Sequence, residues 1–223
     1  MTEICPLCTG ENCTLYHQDR TREYWICATC DLVHVPSRFF LSPEDERLEY
    51  EQHENAVCEP GYERFLSRLA KPLLARLTEA SSGLDFGCGP APALAHMLER
   101  EGHSVALYDT FFFPDESVLN QPYAFITATE VVEHLHRPSD ELDRLWSLVE
   151  PDGWLGVMTK LVSGPEAFAN WHYIRDPTHV CFFSRRTWER WADRVGAALA
   201  FEGDDVILLQ KPAEASAFGQ ACS

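Results

Sequence analysis

Two carboxylates and one imidazole lie close together in the segment EVVEH, at Glu130, Glu133 and His134. The segment follows a short apolar run, so we expect a helix to begin near Glu130. On a helix the spacing i, i+3 and i+4 places the three side chains on one face. Carboxylate and imidazole groups gathered in this way are suitable ligands for a divalent metal ion. The fourth ligand of such a site would be His179, in the later segment WHYIRDPTHV.

Four cysteines near the N-terminus form a second group with the spacing of a metal site. Cys5 and Cys8 make one CxxC pair, and Cys27 and Cys30 make another. Two such pairs can close a tetrahedral zinc site in a segment too small to fold through core burial alone. Because all four ligands are cysteines, the zinc would have no open coordination position and would be structural. The alternative is four free or redox-active cysteines, which the spacing disfavours.

The residues between the two cysteine pairs, TLYHQDRTREYWI, place β-prone runs on either side of a polar turn. This pattern predicts the β-hairpin of a zinc ribbon over residues 1–40. Cys13 is near the four ligands in sequence but belongs to neither pair, and we expect it only to pack.

Composition limits the class of protein. The chain has 223 residues, of which 45% are hydrophobic, enough for one main domain with a small addition. It lacks both a signal-peptide pattern and the roughly 18 consecutive apolar residues of a membrane span, so we expect a cytoplasmic protein without membrane contact. The formal net charge of −17 repels nucleic acids and acidic membrane surfaces. A small-molecule substrate is therefore favoured.

The segment LDFGCGPAPALAHMLEREGHSVALYDT has the pattern of a strand, a glycine turn, a helix and a second strand. Gly87 and Gly89 form the turn, which lets the backbone approach a ligand closely, and Asp85 precedes it. Asp109 ends the second strand about 20 residues downstream, where an acid can accept hydrogen bonds from ribose hydroxyls. The spacing predicts a βαβ nucleotide-binding unit.

The segments LDFGCGPA and YD resemble the first two motifs of class I S-adenosylmethionine-dependent methyltransferases. This resemblance implies S-adenosyl-L-methionine as the cofactor, with the first acid and the glycine turn around its methionine and ribose part. Where the family commonly has a third glycine, this chain has Ala91 followed by Pro92. A nicotinamide-binding turn fits less well, because the acid before the turn belongs to the methyltransferase pattern. The residues implied to contact the cofactor are Asp85, Gly87, Cys88, Gly89, Asp109, Thr110, Thr129 and Glu130.

The segment EVVEH is also similar to the E-V-x-E-H segment of two subsets of class I enzymes, the ubiquinone-pathway O-methyltransferases and the small-RNA 3′-terminal 2′-O-methyltransferases. In both, this segment and a later histidine can hold a divalent metal beside the acceptor oxygen. The resemblance implies a second metal site for Mg²⁺ or another divalent ion, which would lower the pKa of the acceptor hydroxyl. Many methyltransferases instead have an acid and a histidine here without a metal, and His134 or His179 would then be the general base. The implied metal ligands are Glu130, Glu133, His134 and His179.

Residues 163–180 form an insertion rich in aromatic and polar side chains, including His172 and Tyr173. Aromatic walls with a few polar groups suit an acceptor pocket, although a packed structural loop would use the same residue types for burial. The candidate catalytic residues are His134, His179, Glu133, His172 and Tyr173.

The remaining segments follow the order of the class I fold. We predict an α/β protein with a Rossmann-like seven-stranded methyltransferase sheet, helices on both faces, and the zinc ribbon in front of it. The sheet and its helices would occupy residues 82–212, ending in an antiparallel hairpin around Gly203, and residues 213–223 would be a flexible tail.

Residues 41–81 are predicted to be a helical connection that caps the cofactor site. Its main helix carries apolar residues on one face and contains Pro72, which should kink it. A polar segment ahead of this helix carries Tyr50, His53, Asn55 and Tyr62, which an ordinary surface loop would also explain.

Three functions compete on this evidence. The first is a small-molecule methyltransferase, with O-methylation preferred because the metal site favours oxygen acceptors. The second is methylation of tRNA or rRNA, against which the charge of −17 argues, since Lys and Arg that bind phosphate dominate RNA binding. Its candidate contact is the helical stripe Arg186, Arg190 and Arg194. The third is a noncatalytic zinc-ribbon interaction protein, which predicts no cofactor affinity.

Overall fold

The computed structural model describes residues 3–51, 60–78 and 80–213. The strands are β1 (Cys13–Gln18), β2 (Glu23–Cys27), β3 (Val33–His34), β4 (Ser82–Phe86), β5 (Ser104–Tyr108), β6 (Tyr123–Thr129), β7 (Val149–Met158), β8 (Cys181–Phe182), β9 (Ala198–Glu202) and β10 (Val206–Gln210). The helices are α1 (Pro43–Glu51), α2 (Pro60–Leu74), α3 (Ala93–Arg100), α4 (Pro138–Leu148), α5 (Pro165–Ala169) and α6 (Arg185–Val195). His53 and Asn55 of the polar segment, and residues 214–223 of the predicted tail, lie outside the described residues.

The main sheet has the strand order β5-β4-β6-β7-β10-β9. The first four strands in this order are parallel, whereas β10 is antiparallel to both of its neighbours. The predicted α/β fold, its βαβ unit and its closing hairpin are therefore confirmed. The prediction of seven strands is wrong for the part of the chain that the structure describes, where this sheet has six.

The stretch between β5 and β6 explains the missing strand. It forms a short 3₁₀ helix, Glu116–Asn120, whose first turn is capped by the carboxylate of Asp115. Pro114 and Pro122 flank this turn, and proline has no backbone N–H to donate to a sheet. The stretch is therefore better suited to a capped turn than to another strand.

Helices cover both faces of the main sheet, as predicted. On one face, Leu66, Leu69 and Leu73 of α2 and Leu94 and Leu98 of α3 pack in one cluster with alternate residues of the strands. On the other face the buried residues of α4 and α6 form part of a second cluster, which includes the intervening strand residues. Because both faces are covered, the central strands β4 and β6 are buried over most of their length.

The N-terminal segment forms a second sheet with the order β1-β2-β3-β8. The predicted hairpin is present as the antiparallel pair β1 and β2. The fourth strand of this sheet, β8, comes from residues far along the chain and pairs with β3 through Val33 opposite Phe182. Rings of Tyr24, Phe168 and Phe182 then pack edge to face across the junction. The ribbon thus shares one core with the insertion that follows β7.

The predicted helical connection contains α1 and α2, and Pro72 lies inside the last turn of α2. Among the described residues, no helix is long and apolar enough to cross a membrane.

Gly83 in β4 marks a close approach between strands. A Cβ atom added there would lie 2.1 Å from Cζ of Phe125, a ring that is fully buried on β6. We expect Gly83→Ala to lower the free energy of unfolding by about 2 kcal/mol or more, because the core must shift to accept the methyl group. Urea denaturation followed by circular dichroism measures this change.

The matched control is Gly61→Ala in α2, where no heavy atom of the described residues lies within 4 Å of the added Cβ. This variant should be neutral or slightly more stable, since alanine favours helix. Equal stability of the two variants would contradict the close packing of β4 on β6.

Candidate active site

A cavity of about 880 Å³ lies at the carboxyl ends of the parallel strands. Its walls include the turn after β4, the residues after β5 and β6, and part of the insertion after β7. Open α/β sheets bind their ligands at this edge. The cavity is therefore the expected ligand-binding site of this sheet.

The glycine turn forms one end of the cavity. Gly87 and Gly89 have φ values of +70° and +64°, a conformation that side chains with a Cβ rarely adopt. At Gly87 the space is also closed, because an added Cβ would lie 2.4 Å from Cγ2 of Val131. The backbone N–H of Gly87 donates to the carbonyl of Tyr108 at 2.8 Å, which ties the turn to the end of β5.

Asp109 is held rigidly beside this turn. Its Oδ2 accepts from the backbone N–H of Gly89 at 3.0 Å, and its Oδ1 accepts from Phe111 and Phe112 at 2.9 and 3.1 Å. An ionised carboxylate has about four acceptor positions, so capacity remains for a ligand hydroxyl. Asp109 lines the cavity, as do the predicted cofactor residues Cys88, Thr110, Thr129 and Glu130.

Asp85 is placed differently from its prediction. It lies beneath the glycine turn, is 4% exposed and is not among the residues that line the cavity. The hydroxyl of Thr127 donates to its Oδ1 at 2.7 Å. Burial raises the pKa of Asp85 to about 6, against the effect of this hydrogen bond. The carboxyl group of Asp85 is therefore buried against β6 and lies outside the residues that line the cavity.

The helix predicted to begin at Glu130 does not form. Glu130 adopts a left-handed conformation with φ of +52°, and its N–H donates to Met158 at 2.8 Å. Only a three-residue 3₁₀ turn, Val132–His134, follows, and α4 begins at Pro138. A residue before proline is disfavoured in the α conformation, so Arg137 ends the irregular stretch. The three side chains therefore do not share a helical face.

The turn nevertheless brings two predicted residues against the insertion. Glu133 has no exposed surface and lies behind Tyr173, whose hydroxyl donates to Oε1 of Glu133. The hydroxyls of Thr159 and Tyr173 are 3.1 Å apart and continue the network. Burial raises the pKa of Glu133, and the nearby charge of Glu130 raises it further. Glu133 is thus a buried acid behind the cavity wall.

His134 and His179 lie side by side in the wall itself, with ring centroids 4.6 Å apart. Nδ1 of His179 lies 2.8 Å from the carbonyl oxygen of Tyr173, so that nitrogen must carry the proton. The other ring nitrogen, Nε2, lies 3.6 Å from the carboxylate of Asp176. These two contacts fix the orientation of the His179 ring.

The predicted second metal set is reduced from four residues to three. Ligand atoms of Glu133, His134 and His179 lie within 4.8 Å of one another, and Glu130 is outside this group. One carboxylate and two imidazoles are a donor set that binds divalent transition metals. Among the described residues, Oε2 of Glu133 has no hydrogen-bond partner, which leaves it open to a ligand ion.

The remaining predicted catalytic residue, His172, lies at the exposed rim of the cavity, 2.8 Å from Nζ of Lys160. Lys160 was missed in the sequence analysis, although it comes just after the end of β7, where site residues of such sheets lie. Burial raises the pKa of Glu130 to about 7, and the nearby charge of Lys160 opposes this rise. Tyr50 and Tyr62, set aside as possible surface residues, also line the cavity.

The four cysteines of the ribbon meet at one point. Sγ of Cys5 lies 3.6 Å from Sγ of Cys30, and Sγ of Cys8 lies 3.5 Å from Sγ of Cys27. All four sulfurs lie within 4.8 Å of one another. Four thiolates at the usual Zn–S distance of about 2.3 Å are separated by similar lengths, so the residues fit a tetrahedral zinc ion.

The two cysteine turns have matching backbones. Thr9 and Asp31, each directly after the second cysteine of a pair, have φ values of +58° and +59°. Their N–H groups donate to the carbonyls of Cys5 and Cys27 at 3.0 and 2.9 Å. This symmetry is what a pair of metal-binding knuckles requires.

Comparison with known proteins defines the class. A family model described as a methyltransferase domain matches residues 58–200, and the chain belongs to this family. The predicted enzyme class, a methyltransferase that depends on S-adenosylmethionine, is thereby confirmed. A search of curated sequences finds no match to this chain.

Several solved structures share the fold. An O-methyltransferase family protein from Burkholderia thailandensis matches with a TM-score of 0.55 and 12% sequence identity. The match covers 80% of this chain and 63% of that protein, so this chain spans less than two thirds of its length. The 1,6-didemethyltoxoflavin-N1-methyltransferase of the same organism matches with a TM-score of 0.54 and 15% sequence identity. This match covers 88% of this chain and 98% of that enzyme. Magnesium protoporphyrin IX methyltransferase from Synechocystis PCC 6803 matches with a TM-score of 0.52 and 12% sequence identity. That match covers 75% of this chain and 93% of the other.

The raised pKa of Asp85 predicts a pH dependence of stability. Because the pKa is about 6 in the folded protein against an ordinary 3.8, the folded state holds this proton more tightly than the unfolded state. The stabilisation that this proton gives the folded state is fully present below the ordinary pKa of 3.8 and is lost as the pH rises through about 6. Asp85→Asn keeps an acceptor for Thr127 but cannot ionise, so its stability relative to wild type should rise by up to about 3 kcal/mol across that range.

Denaturation curves of ligand-free protein at several pH values test this prediction. The control is Asp204→Asn, which removes an exposed carboxyl from the turn between β9 and β10 and should leave the pH profile unchanged. Parallel profiles for wild type and Asp85→Asn would refute the buried environment of Asp85.

Proposed function

We propose that this chain transfers the methyl group of S-adenosylmethionine to an oxygen atom of a small aromatic acceptor. The observation that carries the proposal is the shape of the cavity, which has an anchored acid and glycine turn at one end and an imidazole pair backed by a buried acid at the other. Its volume of about 880 Å³ accommodates a nucleoside cofactor and a small acceptor. Two of the structural relatives were crystallised with S-adenosylhomocysteine, and one of them also with 1,6-didemethyltoxoflavin.

The cofactor would lie against the glycine turn, with its ribose hydroxyls donating to Asp109. This carboxylate is already oriented by three backbone N–H groups, so little side-chain freedom would be lost on binding. Glu130 lies farther along the cavity wall, where a carboxylate would attract the positively charged sulfonium group. Binding of that charge would in turn favour the ionised form of Glu130.

The acceptor would lie against the aromatic side of the cavity, which includes Tyr50, Phe111 and Tyr173. Tyr50 contacts both Phe111 and the ring of His134, so an acceptor ring on this surface would lie next to the imidazoles. In the transfer step the acceptor oxygen forms a bond to the methyl carbon as the carbon–sulfur bond breaks. The electron pair of that bond stays on sulfur, which becomes a neutral thioether.

The acceptor proton must leave before or during this step. Without a bound ion, Nε2 of His179 is suited to receive it, because the other ring nitrogen donates to a carbonyl and leaves Nε2 in the cavity wall. With an ion bound, Nε2 would be a ligand and not the base: Glu133, His134 and His179 would hold a divalent ion such as Mg²⁺, which would lower the pKa of the acceptor hydroxyl so that its proton passes to solvent. Tyr173 would orient the carboxylate of Glu133 through its hydroxyl.

The geometry gives less support to an RNA substrate. Two members of the arginine stripe on α6 are already paired, Arg186 with Asp31 at 3.4 Å and Arg194 with Asp143. With a net charge of −17, these pairs leave little positive surface for phosphates. A small acceptor in the cavity fits the charge distribution better.

Cofactor binding is tested by Asp109→Ala. We expect the dissociation constant of S-adenosylhomocysteine, measured by calorimetry, to rise about tenfold or more, since hydrogen bonds to a charged group are lost. Asp109→Asn should lie between this variant and wild type because it keeps one acceptor oxygen. Glu116→Ala removes the same charge from an exposed turn nearby and is the control. Unchanged affinity in Asp109→Ala would refute the placement of the ribose.

Metal content tests both metal sites in one experiment. After incubation with MnCl₂ and desalting, elemental analysis of wild type should find one zinc and one manganese per chain. Glu133→Gln/His134→Gln should keep the zinc and lose the manganese, whereas Cys27→Ser should lose the zinc because three thiolates remain.

The control for the second site is Glu99→Gln/His96→Gln, which removes an exposed carboxylate and imidazole that are 3.2 Å apart on α3. It should bind both metals as wild type does. Zinc alone in the wild type would remove the divalent ion from the proposal and leave His179 as the base without it.

A further inference from the structure

The ribbon contributes a buried arginine to the junction with the insertion. Arg22 lies in the turn before β2, is 7% exposed, and points its guanidinium group at residues 174–179. Nη1 donates to the carbonyls of Pro177 and His179 at 2.9 and 3.0 Å. Nη2 donates to the carbonyls of Ile174 and Asp176 at 2.8 and 2.6 Å. One side chain therefore pairs with four backbone carbonyls of a single short segment.

The position of this guanidinium is fixed from the ribbon side as well. Nε of Arg22 donates to the hydroxyl of Tyr24 at 2.9 Å, and that hydroxyl donates to Asp19 at 2.8 Å. Asp19 also accepts from the backbone N–H of Thr21 and of Arg22, which shapes the turn itself. Since a planar guanidinium has five donors in a rigid fork, lysine could not reproduce this pattern.

The segment that Arg22 holds is part of the cavity wall. Tyr173, Asp176 and His179 line the cavity and belong to this stretch or directly precede it. The segment has little regular structure after the 3₁₀ helix His172–Arg175, so its carbonyls require donors from elsewhere. Within the described part of the chain, the hydrogen bonds of Arg22 go to this segment and to Tyr24, and none goes to the glycine turn.

We propose that Arg22 is a positioning residue through which the zinc ribbon sets the geometry of the acceptor side of the site. The ribbon would then contribute to the geometry of the active site. Loss of its contacts with residues 174–179 would disorder the acceptor side and leave the cofactor side intact. The assignment of the two sides rests on the proposed function. The contacts of Arg22 with the segment do not depend on it.

Hydrogen exchange measured by mass spectrometry on the full chain tests the proposal. The amides of Thr178, His179 and Val180 donate to Asp176 or Glu133, and their protection reports the order of the segment. Arg22→Ala should increase exchange over residues 174–180 about tenfold or more, because hydrogen bonds from a charged donor are lost. Exchange in β4, β5 and β6, zinc content and the affinity for S-adenosylhomocysteine should stay at wild-type values.

Arg20→Ala is the matched control, since it removes an exposed arginine from the same turn. Tyr24→Phe is a milder variant that removes the partner of Nε of Arg22 together with the 3.2 Å contact of the Tyr24 hydroxyl with the carbonyl of Ile174, and it should increase exchange in the same segment by a smaller factor. It keeps the test decisive if Arg22→Ala fails to fold. Guanidinium chloride at concentrations well below those that denature should restore protection in Arg22→Ala in a saturable way, and urea at the same concentrations should not.

Unchanged exchange over residues 174–180 in both variants would overturn the proposal. So would faster exchange throughout the chain without rescue by guanidinium, because that result indicates general destabilisation. Failure of the wild type to bind S-adenosylhomocysteine would instead refute the proposed function and leave the exchange result to decide the role of Arg22.

Discussion

The candidate active site depends on how one irregular segment satisfies its backbone polar groups. Residues 174–179 run close to the core without a strand or α-helix of their own, and buried carbonyls without donors would be unfavourable by several kcal/mol in total. The guanidinium of Arg22 supplies four of the donors at once. The backbone N–H of Val180 donates to Glu133, which ties the end of the segment to the turn that carries His134. The ribbon and the turn that carries His134 therefore both contact the segment that carries His179.

The two ends of the cavity are built by different physical means. At the end with the glycine turn, parallel strands and this turn place Asp109 through local backbone geometry, as in many α/β proteins. At the end with the imidazole pair, Tyr173 and His179 are placed by contacts between parts of the chain that are far apart in sequence. The first arrangement is general to the fold, whereas the second can vary with the substrate. This difference explains why structural relatives of low identity share the sheet and act on different molecules.

The same difference decides what the sequence could predict. The βαβ unit, the two hairpins and the four-cysteine cluster follow from short-range patterns, and each is present in the structure. The prediction of a helix beginning at Glu130 was wrong. Periodicity alone does not reveal that the backbone N–H of Glu130 donates to Met158 at the end of the neighbouring strand β7. Asp85 and Glu133 were predicted as site acids from their motifs, whereas their burial depends on tertiary packing that short motifs do not reveal. Arg22 was not recognised, because four of its hydrogen bonds reach carbonyls about 150 residues away.

Glu133 has no exposed surface, and a buried carboxyl group is unfavourable when it is ionised and unpaired. The hydroxyl of Tyr173 donates to Oε1 of Glu133, and a carboxylate oxygen of Glu133 lies within 4.8 Å of ring nitrogens of His134 and His179. A cation bound by this group would favour the ionised form of Glu133, while without one the raised pKa favours the protonated form. In both states the hydroxyl of Tyr173 fixes the orientation of the carboxyl group, and Tyr173 directly precedes the segment that Arg22 holds. Under the proposed role of Arg22, the packing of the ribbon therefore influences the electrostatics around Glu133.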